Sequence, residues 1–156
     1  MSNIWRDPVF NRRQSDIDHL LYLLSKMKFS EFTEDEKADW LSGEKGALNR
    51  TDLERIKNNI ELLNEVLELP TTVPNIPDLP QVDFYNSILN DVQAIRNCNY
   101  KKNSTPRVPA QPLNTFSKWN DIEKILYDVY DVLVNNFHYY CGGDGLFAGD
   151  SIGLLL

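Results

Sequence analysis

Apolar residues recur along this chain with the 3.6-residue period of an α-helix in five separate stretches. Ile17, Leu20, Leu21, Leu24 and Met27 make one stripe and predict a helix near 12–27, with Asn11 as its cap and Gln14 reaching back. In "TEDEKADWLSG" Thr33 caps, Glu36 answers three residues on, and Gly43 stops a short helix over 34–42. Leu53, Ile56, Ile60, Leu63 and Leu67 predict a helix over 50–68, entered through Asn49 and Asp52 and closed by Pro70. Phe84, Ile88, Val92 and Ile95 predict a fourth over 83–97 with Asp83 as a cap. Trp119, Ile122, Leu126, Val129, Tyr130 and Leu133 predict a fifth over 115–135. The expected fold is all-α, a bundle-like helical body spanning 11–136.

Between the last three stripes the period changes. Pro74, Pro77 and Pro80 stand three apart, and so do Pro106, Pro109 and Pro112. Phe84 follows Pro80 by four residues, as Phe116 follows Pro112. A three-residue period is that of polyproline II, which rises ~3.1 Å per residue without internal hydrogen bonds. The two runs therefore predict extended struts that feed helices. A Pro-x-x-Pro ligand for a host SH3-like domain is the alternative, though Arg107 offers little of the flanking basic charge such ligands carry. A second echo pairs "DLERI" at 52–56 with "DIEKI" at 121–125.

The two ends break the helical pattern. Residues 1–10 read as an extended arm, because Pro8 disfavours helix at Asp7. Its apolar residues Trp5, Val9 and Phe10 either tuck onto the protein's own surface or anchor on a partner. Residues 137–156 read as a Gly-rich hairpin or extended tail, with Tyr139–Cys141 and Leu146–Ala148 flanking a Gly-Asp-Gly turn. Tyr139, Tyr140, Leu146, Phe147, Leu154, Leu155 and Leu156 are its candidate partner-binding residues, with a frayed terminus as the other reading.

Charge narrows the partners. The net charge is −7, and it divides unevenly: residues 1–28 hold five Lys/Arg against three Asp/Glu, while the rest hold 11 against 20. An acidic body repels nucleic acid and anionic membrane. The longest apolar run, Leu20–Leu24, is far too short to cross a bilayer, and the N-terminus lacks the apolar run of a signal peptide. Cys98 and Cys141 stand apart, as expected of reduced thiols made in a cytoplasm.

Catalytic constellations are not found. Asp52/Glu54 and Asp121/Glu123 each fall in the first turn of a predicted helix, where carboxylates complement the helix dipole. His19 and His138 are too far apart in sequence to suggest a metal site or a triad. "CGGDG" lacks the Gly-Lys-Ser/Thr of a phosphate cradle. No enzyme, metal or organic cofactor is expected. One nucleic-acid reading survives: "WLSGEKGALNRTDLER" has helix–turn–helix spacing, with Asn49, Arg50, Thr51 and Arg55 opening the second helix.

The segments "NRRQSDID" at 11–18, "KGALNRTDLERIKNNIELL" at 45–63, "NTFSKWNDIEKIL" at 114–126 and "YYCGGDGLFAGD" at 139–150 occur in a telling order. In that order they resemble an uncharacterised family of small proteins encoded among the structural and tail genes of phages and prophages of Gram-positive gut bacteria. Those relatives usually read Arg-Thr-Gln-Ala-Asp-Val-Asp where this chain has Arg12 to Asp18, and often a single Gly and a Glu where it has Gly142, Gly143 and Asp144. The resemblance implies a non-enzymatic virion structural protein of the tail or baseplate region. It would be made in the bacterial cytoplasm and assemble with other virion proteins and with itself. The alternative is a small helix–turn–helix or host-directed regulatory adaptor.

Overall fold

The stripes of the last three predicted helices meet in one core. The computed structural model describes the backbone of residues 4–142 and the side chains of residues 4–135. The fold is all-α: α1 (Gln14–Ser25), a 3-10 turn (Phe29–Glu31), α2 (Glu34–Ser42), α3 (Arg50–Val66), α4 (Val82–Asn97) and α5 (Phe116–Gly142), with no strand among the described residues. α3, α4 and α5 pack on one another. Leu53, Ile56, Ile60 and Leu63 of α3, Phe84, Ile88, Val92 and Ile95 of α4, and Trp119, Ile122, Ile125, Leu126 and Val129 of α5 are all buried in this core.

Each core helix has a local reason to start and stop. The Asn49 N–H donates to the Asp52 carboxylate at 3.0 Å, covering the entry to α3. At the other end Glu68 takes φ +52, the Leu69 N–H reaches the Asn64 carbonyl at 2.9 Å, and the Glu68 N–H reaches that of Glu65 at 3.3 Å. That pair of bonds is a Schellman cap built on a glutamate where glycine is the usual choice. α4 starts one residue earlier than the spacing predicts, with Gln81 as its cap. Asp83 lies inside the first turn, where its charge meets the dipole rather than a cap.

The two proline segments join the core helices without helix or strand of their own. Val73 of the first is buried in the core and Ile76 packs on it; Val108 and Leu113 of the second do the same. Carbonyls without a ladder partner must find other donors. In the second segment the Arg96 guanidinium donates to Thr105 and Pro106, Lys118 Nζ to Ala110 and Pro112, and Trp119 Nε1 to Leu113. The Gln111–Pro112 bond is cis.

α1 departs from its expected start and face. It begins at Gln14, and the Arg13 N–H donates to the Asp16 carboxylate at 2.7 Å, so Asp16 supplies the contact expected between Asn11 and Gln14. Of its leucines, Leu23 is fully buried, whereas Leu21, Leu24 and Met27 of the predicted stripe are exposed. Asp16, His19, Leu20 and Lys26 share the half-buried side with Leu23. Ile17 and Leu20 of the predicted stripe are half-buried, so the stripe holds over the first turns of α1 and fails beyond them, where apolar residues lie on both sides. Gly46 fixes where α1 sits: a Cβ there would lie 2.2 Å from the Asp16 carbonyl oxygen, so only glycine permits this approach.

At the C-terminus α5 continues to Gly142. Tyr139–Cys141 are therefore helical, which corrects the strand expected there: the helix backbone continues past its predicted end. The remaining hairpin and tail positions lie outside the described residues.

Candidate interaction surface

The N-terminal arm is held to α3 and α5 through its backbone. Asn59, buried on α3, accepts from the Arg6 N–H at 3.0 Å and donates to the Arg6 carbonyl at 2.7 Å. Asn120 on α5 does the same for Arg12, at 3.2 and 2.9 Å. Each side-chain amide thus imitates the paired donor and acceptor of a neighbouring strand. Asn58 adds a bond to the Ile4 carbonyl, and Glu123 accepts from the Val9 N–H at 2.6 Å.

Beneath the arm lies a closed ionic network. Glu123 is 1% exposed and receives both Arg12 and Arg55, while Asp52 receives the same two arginines, at distances between 2.6 and 3.2 Å. Two positive and two negative charges balance, which burial requires. Burial works against the charge on Arg55, but the hydrogen bonds and charges of Glu123 and Asp52 outweigh it and raise its pKa. The carboxylates read as helix-dipole partners in "DLERI" and "DIEKI" therefore converge across two helices, and Arg12 bridges them to the arm.

The structure places the three expected arm anchors on the chain's own α5 side. Trp5 stacks on Tyr130 with ring centroids 3.9 Å apart and planes within 2°. Phe10 lies 5.1 Å from Tyr127, and the Val9 backbone is bound by Glu123. Of the expected tail residues, Tyr139 and Tyr140 belong to the backbone of α5. Leu146, Phe147, Leu154, Leu155 and Leu156 lie outside the described residues.

A second surface escaped the sequence reading. Seven of the eleven large apolar side chains exposed among the described residues fall between 21 and 41: Leu21, Tyr22, Leu24, Met27, Phe29, Trp40 and Leu41. That concentration makes 21–41 the stretch richest in exposed large apolar side chains among the described residues. Its only buried large apolar side chains are Leu23 and Phe32. Phe32 touches Phe29 and Trp40 with centroids 5.3 and 5.7 Å away, and Lys26 lies over the Tyr22 ring at 4.7 Å. Lys26 Nζ bonds both oxygens of Glu36, at 2.5 and 2.6 Å, and so ties α1 to α2. The signal in the sequence was the surplus of apolar residues in α1, more than one stripe can bury.

An open, mostly apolar cleft of about 410 Å³ runs between Ile17, Leu48, Val82, Tyr85 and Phe116. Of the helix–turn–helix residues, Arg55 is committed to Glu123 and Asp52, and the Asn49 amide donates to the Glu44 carbonyl. Arg50 is exposed and faces Glu54 and Asp78. Among the described residues no helix is long and apolar enough to cross a membrane. Among those residues, His19, Asp39 and Glu44 are the one group of three with the donor atoms and spacing to hold a metal ion. No protein-family model, curated protein or solved structure matches the chain.

Proposed function

We propose that this chain is a non-enzymatic structural subunit or adaptor of a phage particle, in the tail or baseplate region, and that it works by protein–protein assembly. The observation that carries the reading is the apolar surface on α1, the 3-10 turn and α2. Seven large apolar side chains exposed over 21 residues of sequence are a concentration that a partner would cover. The setting is proposed from the resemblance of the chain's segment order to that of phage structural proteins. The partners are other virion proteins and further copies of this chain. The proline runs serve as polyproline-II braces that hold the core rigid, and the Gly-rich C-terminal segment adds a second contact. The commitment of Arg55 to a buried network speaks against the DNA-binding alternative.

The test is incorporation. A Leu24→Glu/Met27→Glu double variant alters two exposed positions, so it should keep the helical content and the unfolding midpoint of the natural chain by circular dichroism. It should also fail to enter particles in a complementation experiment followed by electron cryo-microscopy. Incorporation equal to the natural chain, or absence of the natural chain from particles, would overturn the reading.

A further inference from the structure

We propose that His19, Asp39 and Glu44 form a binding site for one divalent transition-metal ion of the zinc type. The three come from different elements: His19 from the middle of α1, Asp39 from the last turn of α2, and Glu44 from the turn that follows Gly43. One ligand atom from each lies within 4.8 Å of the other two. His19 Nε2 stands 3.6 Å from Glu44 Oε1 and 3.9 Å from Asp39 Oδ2.

These distances are too long for hydrogen bonds and suited to a shared ion. Ligands bound at roughly 2.0–2.2 Å in a tetrahedron sit roughly 3.3–3.6 Å from one another. The two His19 distances are within a few tenths of an ångström of that spacing, and the two carboxylates, whose ligand atoms lie within 4.8 Å of each other, close the rest by side-chain rotation.

Glu44 supplies the independent sign of a missing partner. It is 8% exposed, and its Oε1, the atom facing His19, is buried with no hydrogen-bond partner among the described residues. A buried carboxylate oxygen left unpaired is costly, and a native structure rarely leaves one without cause. Among the described residues no lysine or arginine bridges to Asp39 or Glu44, and the nearby Lys45 faces Asp16 instead. Asn49 donates to the Glu44 carbonyl at 3.1 Å and holds the turn in place.

The donor set chooses the ion. One nitrogen and two carboxylate oxygens suit zinc and its first-row neighbours, whereas magnesium and calcium call for oxygen alone. His19 and Asp39 are partly open to solvent, which gives the ion a route in and leaves room for water in the remaining coordination position. The ion joins α1, α2 and the turn into α3, in the region with the fewest buried apolar contacts.

Calorimetric titration of the full chain with Zn²⁺, and absorption titration with Co²⁺, test the site. The expected result is one saturable equivalent, a Co²⁺ ligand-field spectrum of low-coordinate N/O type, and no displacement by millimolar Mg²⁺. The His19 imidazole resonances should shift on Zn²⁺ addition. Glu44→Gln should weaken binding at least about tenfold. If that buried variant misfolds, Asp39→Asn at an exposed position should weaken it likewise. No saturable Zn²⁺ binding, or equal affinity in His19→Ala and Asp39→Asn, would overturn the proposal. The second outcome would place the ion elsewhere, for example at Cys98, Cys141 or His138. A cluster in which His19 merely neighbours the two carboxylates predicts the first.

Discussion

The three-helix core and the α1–α2 region obey the same helix rules and differ in what their faces meet. In α3, α4 and α5 each apolar stripe lies against another, and the polar groups beneath the N-terminal arm are paired in a closed network. In α1 and α2 the caps are as well formed, with Thr33 and Glu36 exchanging bonds at 3.3 and 2.7 Å. Yet most of that region's large apolar side chains stay in water. Capping and periodicity make a helix; they do not say which side of it will be covered. Most helix stability in a protein comes from packing an amphipathic face, so the α1–α2 region should be the softer of the two.

The largest effect expected is from opening the ionic network. Glu123→Gln leaves Arg12 and Arg55 with Asp52 alone, in a site where Glu123 is 1% exposed. Breaking a buried pair from one side costs about 3–5 kcal/mol, to be read from urea unfolding. The same change should free the arm, seen as a change in Trp5 fluorescence as its stack on Tyr130 is lost. Leu126→Ala, fully buried, should cost about 2–5 kcal/mol, against within about 0.5 kcal/mol for Leu24→Ala on the exposed side of α1. Equal losses at the two leucines would erase the distinction between the regions.

Next comes the joint between them. Gly46→Ala would set a Cβ 2.2 Å from the Asp16 carbonyl oxygen, and backbone on both sides cannot yield as a side-chain tip would. Overpacking of this kind costs about 1–3 kcal/mol. Hydrogen exchange should show the loss of protection in α1 with α4 and α5 preserved. A uniform loss across all helices would mean that α1 belongs to the core after all.

How much was legible follows the same division. The stripes of α3, α4 and α5 could be read from spacing because each helix has one apolar face and it is the buried one. α1 could not, since Leu21 and Leu24 compete with Leu23 and only tertiary placement decides among them. The arm's docking was invisible for another reason. Asn59, Asn120 and Glu123 recognise backbone groups, which every residue of the arm carries, so no side-chain pattern announces the match. "DLERI" and "DIEKI" were visible as an echo, but that Asp52 and Glu123 share two arginines depends on how α3 and α5 pack. His19, Asp39 and Glu44 lie 20 and five residues apart, a spacing that matches no metal motif until α1 folds back beside α2.

A smaller effect runs in the opposite direction, within the core. Glu68 holds φ +52 in the Schellman cap of α3, a conformation that costs a residue with a Cβ about 1 kcal/mol. Its side chain is exposed and forms no ion pair among the described residues. Glu68→Gly should therefore stabilise the protein by about 1 kcal/mol, as a shift in the urea midpoint with an unchanged slope. Destabilisation would show that the glutamate makes a contribution its backbone geometry conceals.

The gentlest probe of the α1–α2 region is pH. The Glu36 carboxyl is lowered from 4.5 to about 2, first by the hydrogen bond from Lys26 and then by the Thr33 N–H that the same carboxylate caps. A depressed carboxyl contributes stability that is fully present above its unfolded pKa and disappears as pH falls through its folded one. The tie between α1 and α2 should therefore hold above pH 4.5 and weaken progressively toward pH 2. Lys26, raised above 10.5 by Glu36, adds the mirror case: its contribution is present below that value and fades as pH climbs past it. The pair is near the surface, so the change should loosen the α1–α2 link without unfolding the core. Amide exchange at Thr33 and the Lys26 Nζ resonance, followed from pH 6 down to 2.5, report the link directly. In Glu36→Gln there is no carboxylate to protonate, and the Thr33 amide should exchange at one elevated level across the range, relative to an unstructured reference at each pH. A Thr33 amide in the natural chain that stays equally protected down to pH 2.5 would mean the helices are joined by something stronger than this pair.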